Sequence, residues 1–505
     1  MNVNLRLRLI AIGCAVAAVW LGWELAEESY VIPFVVVGAA IFGILMALLK
    51  TPMGAIALGL ALFGYLVGNR GFAQLMPAPW LPLFPAEFVL LVAGGWWLVQ
   101  CAFEHRLPFR RDALNWFVVT WLAVGTARVM FDVRLFGLMA ARDYAMIYYA
   151  LYFFLAQHLA GAPESRRFLV GILAVASVVQ PVTAVLAEAF PEFFLSHLLV
   201  RGVPLIYLKG DLALTFMAVS ALLLAFVARG PLRWWAWSVA AIELLYVVGS
   251  SNRASMLGAL VALAWLALSR MRRFVFVQIA VFAAALLVVS SLALLTENTW
   301  AQRKLQGVSE RFLSLGDVIG AGNYVSDDSF MKGDNNRFRS VWWRTVVAET
   351  MAKNPALGLG FGHDLARNFL QEYNPDMAED FSARSPHNIA VSVIGRMGLL
   401  GLAVFALLCL GIAVRTFRAM RDPNSEDATL GLWAGVWVIL VSAGFGVVLE
   451  GPMGAVVFWS LLGIAHAKIS APAEAEETPE AEILAAPSSG DLQSAATKGE
   501  VALRP

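Results

Sequence analysis

Charged residues are scarce in this chain. Asp, Glu, Lys and Arg make up 14% of its 505 residues, hydrophobic residues make up 60%, and the mean hydropathy is +0.71. Soluble domains contain only about 45–50% apolar residues, so the composition excludes an ordinary water-soluble protein. The 37 basic and 36 acidic residues nearly cancel, which leaves no basic field for nucleic acid. We therefore predict an integral membrane protein that does not bind nucleic acid.

Cysteine is also scarce, and no sequence repeat of fixed period is evident. The three cysteines, Cys14, Cys101 and Cys409, lie inside apolar runs, where a thiol behaves as a small hydrophobe. We therefore predict no disulfide framework. The missing repeat weakens a comparison with transporters built from inverted repeats.

Long apolar runs are abundant. A helix needs about 20 mostly apolar residues to cross the hydrocarbon core of a bilayer. The runs predict an all-α fold, a polytopic transmembrane helix bundle of about 12–14 spans with one large outside loop containing short helices. The predicted spans lie at about 9–23, 30–49, 53–68, 83–103, 113–127, 141–160, 168–190, 211–229, 234–249, 254–269, 274–295, 388–414, 430–447 and 452–468.

The charges beside these runs agree on one orientation. Short cytoplasmic loops retain Lys and Arg, whereas acidic residues have little effect on orientation. If the N-terminus is cytoplasmic, every inside loop is basic, and both termini are therefore predicted to be cytoplasmic. The basic residues of the inside loops are Arg6, Arg8, Lys50, Arg106, Arg110, Arg111, Arg166, Arg167, Arg229, Arg233, Arg270, Arg272, Arg273, Arg415, Arg418 and Arg421.

The spans divide the chain into four regions. Residues 1–295 carry transmembrane helices 1–11, residues 296–387 form the large loop, and residues 388–468 carry the C-terminal transmembrane helices. A loop of that length is usually functional. Residues 469–505 are rich in Ala, Glu, Pro and Ser and cannot bury enough apolar surface to fold, so they are predicted to be a disordered cytoplasmic tail.

The large loop contains a predicted helix and then a glycine-rich turn. Apolar residues recur at helical spacing over 340–354, which predicts an amphipathic helix at the membrane interface. Pro355 ends it, and Gly358, Gly360 and Gly362 predict a tight turn. These glycines follow no strand and do not fit a dinucleotide motif. The acidic residues of the loop match no calcium-binding spacing, so neither metal nor cofactor is predicted.

Several arginines face outward, against the usual trend. Arg201 lies with Lys209 in the outside loop before the eighth span, and Arg253 lies at the outer mouth between two spans. Arg339 lies on the polar side of the predicted loop helix. The planar guanidinium binds two phosphate oxygens at once, so such residues suit a lipid diphosphate. For any one arginine, contact with lipid headgroups is the alternative.

His387 closes the large loop immediately before a span. With an ordinary pKa of about 6.5, histidine is the side chain best placed to take a proton from a hydroxyl near neutral pH. For a histidine considered alone, a structural role at the start of a helix is the alternative. His363 and His197 also face outward and are weaker candidates.

The arrangement resembles the O-antigen ligase and polymerase superfamily of bacterial envelope glycan assembly. The resemblance covers roughly 201–401 and rests on the large loop near the C-terminus and on a serine-then-arginine site at Arg253. It rests further on the sequences NRFR at 336–339, NPALGLG at 354–360, HN at 387–388 and GLLG at 398–401.

The resemblance implies an inverting, metal-independent membrane glycosyltransferase with its active site on the periplasmic face of the bacterial inner membrane. Its partners would be an undecaprenyl-diphosphate-linked glycan donor, a glycan, lipid or protein acceptor, and membrane lipids. Arg201 and Arg253 would bind the donor diphosphate, Arg339 would add a further phosphate contact, and His387 would be the general base. Ligase and polymerase are not separated by these motifs.

Arg396 departs from this pattern. Many relatives carry an acidic residue just before the GLLG turn, whereas this chain has Arg396. A buried arginine in a span is costly and faces a cavity or a partner, so Arg396 is predicted either to bind phosphate or to pair with a carboxylate.

Two other classes of function remain open. A secondary transporter would use ionisable residues in the spans, and a non-catalytic scaffold of polysaccharide export would use the large loop as a docking surface. The ionisable residues for transport would be Arg142, Asp143, Glu188, Glu243 and Arg396.

Overall fold

A computed structural model describes most of the chain up to Lys468. The described ranges are 52–76, 84–105, 107–250, 252–295, 327–373 and 384–468, together with the isolated residues 22, 23, 26, 302 and 310. The side chains of 293, 327–336 and 372–373 are outside this description. The predicted spans at 9–23 and 30–49 and the predicted tail at 469–505 also lie outside it.

Almost every described element is a helix, as the apolar runs predicted. The helices of the first half are α1 (Met53–Val67), α2 (Arg70–Ala73), α3 (Pro85–Phe103), α4 (Ala113–Phe136), α5 (Leu138–Asp143), α6 (Ala145–Tyr148), α7 (Leu151–Leu159) and α8 (Pro163–Ala189). Those that follow are α9 (Gly210–Val227), α10 (Leu232–Gly249), α11 (Arg253–Ala267), α12 (Arg272–Leu295), α13 (Asp327–Lys353), α14 (Arg367–Tyr373), α15 (Ile389–Arg421), α16 (Asp427–Ala443) and α17 (Pro452–His466).

The strands described are two short ones between α8 and α9. Strand β1 (Leu199–Val200) pairs antiparallel with β2 (Val203–Pro204), and the turn between them contains Arg201 and Gly202. Single π-helical turns occur at Leu90–Gly94 within α3 and at Phe193–His197 just before the hairpin.

The predicted polytopic helix bundle is confirmed. Among the described residues, six helices are long and apolar enough to cross a membrane, and four shorter helices are also apolar. These six are Pro85–Phe103, Ala113–Phe136, Pro163–Ala189, Gly210–Val227, Arg272–Leu292 and Ile389–Arg421. The chain is a multi-pass membrane protein.

One predicted span differs from the structure. The run at 141–160 predicted one continuous helix, but the chain forms α5, α6 and α7 in succession. The breaks allow the hydroxyl groups of Tyr148 and Tyr149 to donate to the same Oε1 of Glu87, each at 2.6 Å. A carboxylate near the start of α3 thus obtains two donors that a regular helix would space differently.

Helix α9 lies at the centre of the bundle. Its side chains are buried on nearly every face, whereas most of α12 is exposed. Helices α8, α10, α11 and α16 pack around α9. An apolar helix with no polar face needs this surrounding, and the exposed apolar surface of α12 is suited to lipid.

The loops predicted to lie on the cytoplasmic side contact one another at one end of the bundle. Arg166 at the start of α8 pairs with Glu426 at 3.1 Å and donates to the Ile464 carbonyl at the end of α17. Arg270 pairs with Asp427 at 2.7 Å. The alternation of loops between two ends therefore agrees with the prediction, while the compartment that each end faces stays a prediction.

The predicted loop helix is present and longer than expected. It is part of α13, and its apolar face lies on protein instead of being free for a membrane interface. Trp342 and Val346 are buried against Leu365 and Phe369, and the Trp342 and Phe369 rings stack at 5.3 Å. The interfacial interpretation was wrong because α14 covers the same face.

Gly258 tests the packing of α11 on α16. A Cβ at Gly258 would lie 2.7 Å from the Val438 carbonyl oxygen, whereas a Cβ at Gly171 on α8 would meet nothing within 4 Å. We expect Gly258→Ala to destabilise the protein by about 1–3 kcal/mol, because the two backbones must separate. Gly171→Ala should leave the melting temperature unchanged or higher, since alanine favours helix. Thermal unfolding in detergent compares them, and equal melting temperatures would contradict the packing.

Candidate active site

Three helices begin at the end of the bundle opposite the basic loops. Helices α9, α11 and α15 start after Lys209, Asn252 and Asn388, and both asparagine side chains accept from two backbone N–H groups of their helices. Asn252 also donates from Nδ2 to the Asp211 carbonyl at 2.8 Å, which joins the start of α11 to that of α9. Helix N-termini carry partial positive charge, so this end favours an anion.

A group of cationic side chains lies at these helix starts. We call Lys209, Arg253 and Arg339 the cation cluster. Arg339 reaches it from α13 and donates to the Phe445 carbonyl at 2.9 Å. Burial and the nearby Arg253 charge lower the pKa of Arg339, and Asp211 partly offsets this. Asp211 also pairs with Lys209 at 3.5 Å and so brings a carboxylate to the cluster.

His387 lies beside the cation cluster. Burial, followed by the charges of Arg339 and Lys209, lowers the pKa of His387 to about 4, with Asp211 acting in the opposite direction. Its imidazole is therefore neutral at pH 7. A neutral imidazole keeps a nitrogen lone pair that can accept a proton.

The backbone of His387 has an unusual conformation that its neighbours hold. Its φ is +55°, a left-handed value that costs energy for a side chain of this size. The Trp343 indole donates to the Pro386 carbonyl at 2.6 Å, and the edge of the Trp342 ring contacts the imidazole with centroids 6.0 Å apart. Both tryptophans belong to α13, so the loop helix that carries Arg339 also positions the histidine.

The segment before α9 is held by the residues that follow the C-terminal end of α1. The Asn69 side chain accepts from the backbone N–H groups of Arg70 and Lys209, and the Tyr207 N–H donates to the Gly68 carbonyl. A Cβ at Gly71 would lie 2.4 Å from the Pro204 carbonyl oxygen, so this approach requires glycine. Lys209 is thus anchored through its backbone, and only its side chain needs to move toward a ligand.

Arg201 lies in the exposed turn of the β-hairpin, with φ of +51°. The hairpin precedes the segment that carries Lys209, but no contact described here joins the Arg201 guanidinium to His387. Its role in binding diphosphate stays a prediction.

Arg396 lies in a different network of charges. It is 2% exposed, and its Nη1 lies 2.6 Å from Oδ2 of Asp143. The direction is not that of a hydrogen bond, so charge holds the pair together. The same Asp143 oxygen accepts from the Gly362 N–H at 3.0 Å. Of the two roles predicted for Arg396, pairing with a carboxylate is the one its contacts support.

The glycine turn sits in this second network. Gly358, Gly360 and Gly362 all have positive φ, which confirms the predicted turn. The N–H of Phe361 donates to Asp132 at 2.7 Å, and a Cβ at Gly360 would lie 2.6 Å from that carboxylate. The glycines therefore permit close docking onto buried carboxylates.

The rival histidine His363 belongs to this turn. Its Nε2 lies 3.2 Å from Glu349, and its ring contacts the edge of Phe136. Burial is the main cause that lowers the pKa of His363, and Glu349 opposes it. His363 therefore has a carboxylate partner in place of the cations that surround His387.

An apolar crevice opens next to the cation cluster. It has a volume of about 760 Å³ and is lined by parts of α8, α9 and α10 and by the segment 206–208. Gly210 lines it, and Lys209 and Asp211 are the neighbours of Gly210 in the chain. The Tyr246 hydroxyl in its wall donates to Glu188 at 2.5 Å.

Sequence reasoning missed three residues of this site. Asp211, Asn252 and Asn69 were not singled out, although an Asn directly before an outward arginine is a helix N-cap signal that identifies Asn252. Asp211 and Asn69 act through partners far away in the chain, and no local pattern indicates them. Among the described residues no group of three potential ligands could hold a metal ion.

The large loop, His387 and the arginine at the start of α11 fall within one known domain. Residues 238–406 match the family model for O-antigen ligase. This match supports the resemblance to the O-antigen ligase and polymerase superfamily that the sequence motifs indicated. No curated protein matches the chain. The family indicates a glycosyl-transferring membrane enzyme with lipid-linked glycan and acceptor as its general partners.

Arg396 provides a test of its structural role. Arg396→Met leaves Asp143 buried without its counter-charge, which we expect to destabilise the protein by about 3–5 kcal/mol. Adding Asp143→Asn removes the unpaired charge and should recover part of the melting temperature. Thermal unfolding of both variants in detergent measures this. If Arg396→Met melts like the wild type but raises the KM for donor, Arg396 is a ligand for phosphate.

Proposed function

We propose that this protein transfers glycan from an undecaprenyl diphosphate carrier to an acceptor hydroxyl at the periplasmic face, with inversion at the anomeric carbon. The observation that carries the proposal is His387 beside Arg339 and Lys209, with Arg253 next to Arg339. A base and an anion-binding group at one place are the two parts that this transfer requires.

The cation cluster suits the donor diphosphate. Arg253 and Arg339 can each bind two phosphate oxygens, and Lys209 can add a point charge. The three helix N-termini add partial positive charge in the same region. Negative charge grows on the diphosphate as the glycosidic bond breaks, so cations already in place stabilise the transition state more than the ground state.

The crevice suits the lipid part of the same donor. An undecaprenyl diphosphate joins an apolar chain to an anionic head, and the apolar crevice includes Gly210, the neighbour of Lys209 in the chain. The undecaprenyl chain of the donor would lie between α8, α9 and α10, and its diphosphate head would lie near Lys209. Arg201, in the hairpin above this segment, is proposed as an additional diphosphate contact.

The reaction balances with the groups present. The acceptor O–H gives its proton to a ring nitrogen of His387, and the acceptor oxygen attacks the anomeric carbon from the side opposite the diphosphate. The bond from that carbon to the diphosphate oxygen breaks, and its electron pair leaves with the undecaprenyl diphosphate. A single displacement of this kind inverts the anomeric configuration and needs no nucleotide sugar.

A secondary transporter is the alternative that one observation favours. Glu243 on α10 is 4% exposed, and neither of its carboxyl oxygens has a hydrogen-bond partner in the described part of the chain. Buried acids in spans mark ion pathways in transporters. Asp143 and Arg396, the other predicted relay residues, are paired with each other beneath the glycine turn, which argues for a structural role.

The direct test is transfer by purified protein in lipid nanodiscs, with the native lipid-linked glycan and candidate acceptors. We expect His387→Ala to lower the rate by about 10²–10⁴-fold, as loss of a general base does. His363→Ala is the matched control and should keep most of the activity. Arg253→Gln should raise the KM for donor and lower kcat.

Each result of this test has a definite meaning. Full activity of folded His387→Ala would exclude His387 as the base. Proton-coupled uptake of glycan into vesicles that Glu243→Gln abolishes, without any transfer, would support the transporter. The length of the product separates a polymerase from a ligase.

The pH dependence follows from the lowered pKa of His387. The base must be neutral, so kcat/KM should stay level from pH 7 down to about 5 and fall as the pH passes through about 4. Bound diphosphate offsets the charges of Arg339 and Lys209, so the acid limb of kcat should lie at higher pH. Steady-state rates across pH measure both. An acid limb of kcat/KM at pH 6.5 would contradict the electrostatic account.

A further inference from the structure

Glu450 lies in the segment between α16 and α17, close to the segment 385–388 that contains His387. Its Oε1 accepts hydrogen bonds from the Ser385 hydroxyl and the Ser392 hydroxyl, each at 2.7 Å. Ser385 is two residues before His387, and Ser392 is in the first turn of α15. One carboxylate oxygen therefore joins the segment 385–388, which contains His387, to helix α15, which follows it.

Ser385 carries this contact to His387. Its oxygen accepts from the His387 backbone N–H at 3.4 Å, a long bond, while its hydroxyl hydrogen is given to Glu450. A serine hydroxyl has one hydrogen, so an acceptor at Glu450 fixes the direction in which its lone pairs face His387. The left-handed φ of His387 has to be held from outside, because the residue alone does not favour it.

The same segment also reaches the cation cluster. Phe445 in 444–451 accepts from Arg339, and a Cβ at Gly446 would lie 3.4 Å from the Asp211 carboxylate. Burial raises the pKa of Glu450, while Arg396 and the two serine hydroxyls lower it. The segment thus contacts Ser385 and Ser392, on either side of His387, at one end and Arg339 at the other.

We propose that Glu450 is a positioning residue that fixes the His387 ring for proton transfer by holding the Ser385 hydroxyl. The inference rests on the proposed role of His387 as the base. Glu450 takes no part in the transfer and does not touch donor or acceptor. Glu450 affects kcat, because the His387 ring must point at the acceptor hydroxyl. It does not affect the KM for donor, because the cations determine donor binding.

The test compares four variants with the wild type in the nanodisc transfer assay. Ser385→Ala and Glu450→Ala should lower kcat by about tenfold to a hundredfold with little change in the KM for donor, as expected for a misplaced catalytic group. Glu450→Gln keeps an acceptor oxygen and should keep most of the activity. Ser392→Ala is the matched control. It loses the corresponding hydrogen bond to Glu450 but keeps the one between Ser385 and Glu450.

Two further measurements separate positioning from general destabilisation. In the His387→Ala background, Ser385→Ala should cause no additional loss, because its effect passes through the histidine. In Ser385→Ala, the acid limb of kcat should shift, because burial lowers and a hydrogen bond to the Ser385 backbone raises the pKa of His387, and a displaced ring changes both. Melting temperatures identify variants that have merely unfolded.

The outcomes distinguish this inference from the proposed function. If His387→Ala loses transfer while Ser385→Ala matches Ser392→Ala, positioning by Glu450 is overturned and the general base stands. If Ser385→Ala slows His387→Ala further, Ser385 acts elsewhere and the inference also fails. If His387→Ala remains active, the base and its positioning fall together.

Discussion

Like charges repel, yet the cation cluster places three positive side chains, Lys209, Arg253 and Arg339, close together. All three are half-buried, and three helices begin in the same region. Burial weakens the screening of such charges, so each raises the cost of the next. Asp211, the Phe445 carbonyl and the separate attachment of each cation to its own element hold them there. Burial first and then this field lower the pKa of His387. The same field would favour an anion as ligand.

A second set of buried charges shows the opposite arrangement. Arg396 and Arg128 face Asp143 and Asp132, and the same carboxylate oxygens, Oδ2 of each aspartate, also accept backbone N–H groups of the glycine turn. Charges of the two signs balance here, so the network stabilises a loop and does not attract a ligand. Arg396 and Arg253 occupy similar places in the sequence, since each lies near the start of an apolar helix. The sign of their neighbours separates their roles.

The sequence predicts the spans, the alternation of loops and the glycine turn because each depends on local patterns of apolar residues, charge and glycine. It also singles out His387 and Arg253 through context, and their roles stay predictions. It could not reveal that Asp143 pairs with Arg396 or that the neighbouring residues Lys209 and Asp211 lie beside His387, since these contacts join distant parts of the chain. The breaks at 141–160 were equally hidden, because the run has no internal proline or glycine and because Glu87, which accepts from the tyrosine hydroxyls, lies on another helix.

The coupling between His387 and the cations bears on the order of events in the proposed transfer. Without donor, a pKa of about 4 makes His387 a weak base for a hydroxyl proton. Diphosphate neutralises the same cations that weaken it, so the base gains strength when the donor is in place. After transfer, the protonated imidazole faces a diphosphate that has gained negative charge, and the two attract. In the proposed transfer, release of the carrier would require His387 to lose its proton, which would restore the neutral ring and leave the cations ready for the next donor.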